Sequence, residues 1–78
     1  MNKYKVNFYK PYLGSYIKAF KSIDVIARSE EHAIRLALKT RKIVSISIGV
    51  ESYFVQMQKV EYTVFVQMII CNVQVNHE

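Results

Sequence analysis

Apolar and polar residues alternate along most of this chain, and that two-residue period constrains the fold more than any other feature. Successive side chains of a β-strand point to opposite faces of a sheet, so each alternating run predicts a strand with one apolar face. The first run, Lys3–Tyr9, places its apolar residues on one face and its polar residues with Tyr9 on the other. We therefore expect a half-buried strand with a basic outer face.

A second strand is predicted over Tyr16–Ala27, after a loop at Lys10–Ser15 that contains the only proline of the chain. Phe20 is out of phase with the apolar side of this strand, so a bulge near Lys21-Ser22 is expected. The first third of the sequence is thus predicted to form two strands joined by a loop.

A single helix is predicted from Glu30 to about Thr40. Ser29 occupies the N-cap position, and Glu30 and Glu31 lie in the first turn, where the helix dipole favours negative charge. The position that carries Glu or Gln in a capping box is His32 here. Small and branched apolar residues then recur at helical spacing on one side, which predicts an amphipathic helix.

Three more strands follow the helix, at Val44–Val50, Tyr53–Met57 and Val60 to about Asn72 or beyond. Gly49–Ser52 predicts the turn between the first two. The apolar parity changes at Gln58-Lys59, which indicates a hairpin turn or, alternatively, a bulge in one long strand. The resulting class is α+β, with one helix packed on a mostly antiparallel sheet and the order β-β-α-β-β-β along the chain.

The chain has 78 residues, which suits a single domain over 1–78 and excludes multidomain or barrel enzymes. The segment Thr63–Cys71 is uncharged and rich in β-branched and aromatic residues, so it would aggregate as an exposed edge strand. It must therefore be a central strand or be covered by another copy. A domain this small also buries a limited core, and we expect a homodimer.

Catalysis and metal binding have little support. Glu30 and Glu31 are adjacent on a helix and do not face a common point, as an acid/base pair would. Cys71, His32 and His77 are one ligand short of a zinc site and lack short ligand spacing. We expect a buried structural Cys71, no enzyme activity, no cofactor, no metal and no small-molecule substrate.

One cysteine, no signal-peptide pattern and no apolar run of about 20 residues together predict a cytoplasmic protein that does not enter the membrane.

The net charge of +5 is unevenly distributed. Residues 1–42 contain ten basic and three acidic side chains, a net +7, whereas residues 43–78 contain one basic and three acidic, a net −2. Lysines can neutralise phosphates and exposed aromatic rings can stack on unpaired bases. The candidate residues for binding nucleic acid or an acidic or nucleoprotein complex are Lys3, Lys5, Tyr9, Lys10, Tyr12 and Lys18, with Arg41 and Lys42 as a second patch.

The segment Ser22–Leu38 resembles a strand-to-helix motif of small phage and mobile-element proteins. In that motif an alternating strand leads into Ala-x-Ser-x-Glu-x-Ala and then a helix, as in DpnD/PcfM-like domains, and some small anti-CRISPR proteins have a similar β-β-α arrangement. The resemblance implies a phage or mobile-element accessory protein that works by binding.

Two functions are therefore expected. The first is a small non-catalytic protein that engages nucleic acid or a host nucleoprotein complex through a basic, tyrosine-bearing face, as an anti-CRISPR inhibitor could. The alternative is a homo-oligomeric structural or protein-interaction module whose charge serves only solubility.

Overall fold

The computed structural model describes residues 1–10, 21–39, 43–58 and 60–74. These residues form one helix packed on a five-stranded antiparallel sheet, so the α+β class is confirmed. The elements are β1 (Asn2–Tyr9), β2 (Lys21–Ala27), α1 (Glu30–Ala37), β3 (Ser45–Ile48), β4 (Tyr53–Met57) and β5 (Val60–Ile70).

The strands lie in the sheet in the order β2-β1-β5-β4-β3, which differs from their order along the chain. The long strand β5 occupies the middle of the sheet, as the uncharged segment required, and pairs with β1 on one side and β4 on the other. Every described pairing is antiparallel.

The helix begins where its cap residue predicts. The Ser29 hydroxyl accepts a hydrogen bond from the His32 backbone N–H at 3.2 Å. The Nδ1 atom of His32 in turn accepts from the Arg28 backbone N–H at 3.0 Å, so the histidine ties the chain before the helix as Glu does in a capping box. The helix ends earlier than expected, at Ala37, with Leu38 as its C-cap.

The core lies between α1 and one face of the sheet. Side chains of β1, β4 and β5 alternate into this face, and Ala33 and Ile34 of the helix are completely buried against them. The core consists of Tyr4, Val6, Phe8, Ala27, Ala33, Ile34, Leu38, Val55, Met57 and Val64. The predicted inward parity of β1 is therefore confirmed.

Both predicted turns after the helix are present. Ile48 pairs with Tyr53 across residues 49–52. Met57 pairs with Val60, so the chain reverses between these two residues, as the predicted hairpin requires and a bulge in one long strand does not. Gln58 has a φ of 54°, the left-handed conformation that such turns require at their first central residue.

Two boundary predictions are wrong. The pairing of β2 with β1 runs without a shift across Lys21 and Ser22, so no bulge lies there. A bulge occurs instead in β5, where the register with β1 skips Ile69. The last strand ends at Ile70 because Asn72 takes a φ of 56° and turns the chain back, with its N–H donating to the Asn2 side chain.

The helix covers only part of the sheet. It packs on β2, β1 and β5, whereas β3 lies two strands beyond β5, at about 10 Å. An eight-residue helix is about 10–12 Å wide and about 12 Å long, so only its N-terminus comes near β3, across a pocket beside the β3–β4 turn. Val44 before β3, Ile48 at its end and Val50 in the following turn remain 62%, 79% and 103% exposed.

Candidate nucleic-acid interface

Three candidate residues share the face of the sheet opposite α1. Because Tyr4, Val6 and Phe8 point to the helix, the alternation of β1 directs Lys3, Lys5 and Tyr9 to the other side, which we call the outer face. Lys3 and Lys5 are two residues apart, so their Cα atoms lie about 7 Å apart along the strand. The sequence prediction of a lysine-bearing outer face on β1 agrees with this placement.

Two phenylalanines join Tyr9 on the outer face. The rings of Tyr9 and Phe65 meet edge to face, with centroids 5.1 Å apart and an interplanar angle of 83°. Phe54 belongs to the same face, since it pairs with Thr63, which also pairs with Tyr9 on the opposite side. Together the three rings surround Thr63, which is only 4% exposed although it lies on the side away from the helix.

The position of Phe54 is fixed by the neighbouring turn. The Gly49 N–H donates to the Ser52 carbonyl at 2.7 Å. A Cβ atom at Gly49 would lie 2.8 Å from both that carbonyl oxygen and Cε2 of Phe54, closer than real contacts allow. The glycine therefore lets the Phe54 ring pack directly against the turn.

The outer face carries two lysines and two carboxylates within the described residues, since Glu61 lies on it two residues before Thr63, as Asp24 does on β2. Lys5 lies opposite Asp24 of β2 and Gln67 of β5. Lys3 lies between Ile26 and Ile70, and neither lysine forms a salt bridge with a described residue. The lysines thus provide two cations at one end of the face, and the aromatic group lies at the other.

The remaining candidate residues are not brought into this group. Lys10 directly follows β1 and is exposed. The other four, Tyr12, Lys18, Arg41 and Lys42, lie outside the described residues, as do the predicted loop at Lys10–Ser15 beyond Lys10 and the first part of the second strand.

The residues weighed for catalysis do not assemble into a site. Cys71, expected to be buried, is exposed because β5 ends one residue before it. His32 takes part in the helix cap, and His77 lies outside the described residues. Within residues 1–10, 21–39, 43–58 and 60–74, no three His, Cys, Asp or Glu side chains are grouped as metal ligands would be.

A pocket of about 290 Å³ opens between the start of α1 and the β3–β4 turn, lined by Glu30, Ile48 and Tyr53 among others. Burial, reinforced by the charges of Glu30 and Glu31, raises the pKa of the Tyr53 hydroxyl. Tyr53 therefore stays protonated at neutral pH. The carboxylates of Glu30 and Glu51 in the pocket lining disfavour an anion here.

No protein-family model, curated protein or solved structure matches this chain. Among the described residues, no helix has the length and apolar character needed to cross a membrane.

Proposed function

We propose that this chain is a small non-catalytic binding protein whose outer face binds single-stranded nucleic acid, free or exposed in a nucleoprotein complex. The observation that carries the proposal is the common placement of Lys3, Lys5, Tyr9, Phe54 and Phe65 on one face of the sheet. Proteins that bind single strands combine cations for the backbone with aromatic side chains for the bases.

The two lysines supply the phosphate contacts. Lys3 has no carboxylate opposite it in the sheet, since both of its register neighbours are isoleucines. A phosphate can therefore approach its ammonium group without displacing an internal ion pair. Lys5 shares its row with Asp24, which weakens its attraction for an anion and makes Lys3 the stronger contact.

The aromatic residues supply the stacking surface. Tyr9 and Phe65 hold each other through an edge-to-face contact, so one ring can present its face while the other supports its edge. Stacking of a base on such a ring contributes about 1–3 kcal/mol. A sheet face suits an unpaired strand, because bases in a duplex are already stacked and are read through the grooves.

The test measures binding of fluorescent mixed-sequence oligonucleotides, single- and double-stranded, across a series of salt concentrations. For single strands each phosphate contact contributes about 0.7 to the slope of log affinity against log salt. The double variant Lys3→Gln/Lys5→Gln should therefore bind more weakly, with a slope reduced by about 1.4.

A matched control removes the same charge from the other side of the molecule. Lys21 lies in register with inward-facing Phe8, and Lys39 follows the helix, so Lys21→Gln/Lys39→Gln leaves the outer face intact. This control should retain most of the slope. Equal losses in the two double variants, or no binding at low salt, would contradict the proposal.

A second candidate function is a homo-oligomeric or protein-interaction module in which the charge serves only solubility. It is favoured by exposed apolar residues such as Ile48 at the end of β3 and Val50 in the turn that follows. A phage or mobile-element role, including inhibition of a host nucleoprotein complex, rests on the resemblance of Ser22–Leu38. That role would be supported if adding this protein stops a purified nucleic-acid-guided host complex from acting on its target.

A further inference from the structure

The longest strand of the sheet is paired on both sides over only half of its length. β5 extends from Val60 to Ile70, but its pairing with β4 ends at Val64. Beyond that point β1 continues to pair with β5, whereas no strand in the described part of the chain pairs with the opposite edge. Residues 66–70 thus present an open edge, which we call the β5 edge.

The side chains of the β5 edge are apolar and exposed. Met68, Ile69 and Ile70 are 48%, 44% and 49% exposed. Unpaired backbone groups next to apolar side chains favour the addition of another strand. These residues belong to the second half of Thr63–Cys71, the segment that is expected either to form a central strand or to be covered by another copy.

The other described edges of the sheet are protected and this one is not. The outer strand β2 carries Lys21 and Asp24 and is followed by Arg28. At the opposite end, β3 has only four residues and is closed by a glycine turn. Charged residues and short strands are the usual means of preventing edge-to-edge pairing; the β5 edge carries no charged residue and belongs to the longest strand, with the bulge at Ile69 limiting the stretch that can pair.

The lack of charged side chains on the β5 edge indicates which partner can pair with it. No charged residue occurs between Glu61 and Glu78, so the side chains of the edge offer no ion pair to a phosphate backbone or to a charged peptide. The protein as a whole carries +5, and two copies repel each other wherever their basic segments meet. An uncharged strand is the place where two copies can approach without that cost.

We propose that the β5 edge pairs antiparallel with the β5 edge of a second copy, forming a two-fold symmetric dimer with a continuous sheet. Placing the axis at Gln67 sets Val66 opposite Met68 of the second copy and the two Gln67 residues opposite each other. Apolar side chains then face apolar side chains, and amide side chains face amide side chains. The bulge at Ile69 ends the pairing before the next residue would meet the β4-paired part of β5.

The first test changes the charge of the edge. Met68→Lys brings two like charges close to the axis, and we expect sedimentation equilibrium to shift from dimer to monomer. The control is Ile48→Lys, which adds the same charge to another exposed apolar position, on β3, and should remain dimeric. A monomeric wild-type protein, or dissociation by both variants alike, would overturn the proposal.

The second test locates the axis and does not depend on the stability of a charged variant. Residues facing each other across an antiparallel pair have Cα atoms about 4.5–5.5 Å apart, a separation that a disulfide can span. Under mild oxidation Gln67→Cys/Cys71→Ser should form a covalent dimer. Native Cys71 is four residues from the axis, about 27 Å from its symmetry mate, and should not. Cross-linking through Cys71 alone would refute this register.

The dependence on salt concentration distinguishes this dimer from the proposed nucleic-acid binding. An apolar interface keeps or gains strength as sulfate is added, whereas phosphate contacts weaken. A dimer that dissociates with rising salt would contradict the proposed interface and leave the proposed function untouched.

Discussion

The turn between β4 and β5 contains a residue that is badly matched to its backbone conformation. Gln58 has a φ of 54°, and this left-handed conformation costs a side chain with a Cβ about 1–2 kcal/mol. Glycine adopts it without that strain but loses more conformational freedom on folding, by about 0.5–1 kcal/mol. Gln58→Gly should therefore stabilise the protein by about 0.5–1 kcal/mol, or about 2–8 °C in a domain of this size.

The matched control is Gln56→Gly, two residues earlier on β4. Gln56 is exposed and has ordinary strand geometry. The same substitution there costs conformational freedom on folding but relieves no backbone strain. It should destabilise by about 0.5–1 kcal/mol. Urea unfolding of both variants cancels the shared effect on the unfolded chain. If Gln58→Gly destabilises as much as Gln56→Gly, the left-handed conformation carries no strain and the reasoning fails.

Three further predictions concern the helix cap, an alkaline titration and the free thiol. Ser29→Ala removes the hydroxyl that accepts a hydrogen bond from the His32 N–H. It should lower the free energy of unfolding, measured in urea, by about 1 kcal/mol. The control Ser45→Ala, at an exposed strand position, should change this free energy far less. The pKa of Tyr53 is raised, so the folded state holds this proton more tightly, and stability should fall as pH rises above about 10. Tyr53→Phe should reduce that fall. Cys71 is exposed, so it should react with a thiol reagent as fast in the native protein as in urea.

Local features of the fold can be predicted from the sequence because their causes are local. The alternation in β1 determines which of its side chains face the helix, and the hydroxyl of Ser29 determines where the helix starts. The aromatic group on the outer face was missed, although part of it could have been found. A two-residue turn at Gln58-Lys59 sets Phe54 opposite Thr63, and Phe65, two residues further, then shares that face.

The remaining features depend on pairings between distant parts of the chain. Tyr9 reaches Phe65 only because β1 inserts next to β5, and no residue pattern specifies that insertion. The exposure of Ile48 follows from how far the helix extends across the sheet, which strand parity does not indicate. Cys71 is exposed because Asn72 turns the chain back toward Asn2, a contact between the two ends of the described chain.

Together, the proposed dimer and the proposed nucleic-acid interface predict that a substitution which adds a positive charge weakens nucleic-acid binding. Pairing of two β5 edges would join the two outer faces, with the β1 strands about 14 Å apart and the two Lys3 positions offset by about 20 Å along them, so one long oligonucleotide could contact Lys3 of both copies. Linked contacts of this kind raise affinity through effective concentration. Met68→Lys adds a positive charge, which strengthens binding to a surface that acts by charge alone. Because it breaks the dimer, we expect it to weaken binding of a long oligonucleotide and to leave a very short one unaffected. Tighter binding of the long oligonucleotide would show that each outer face binds alone.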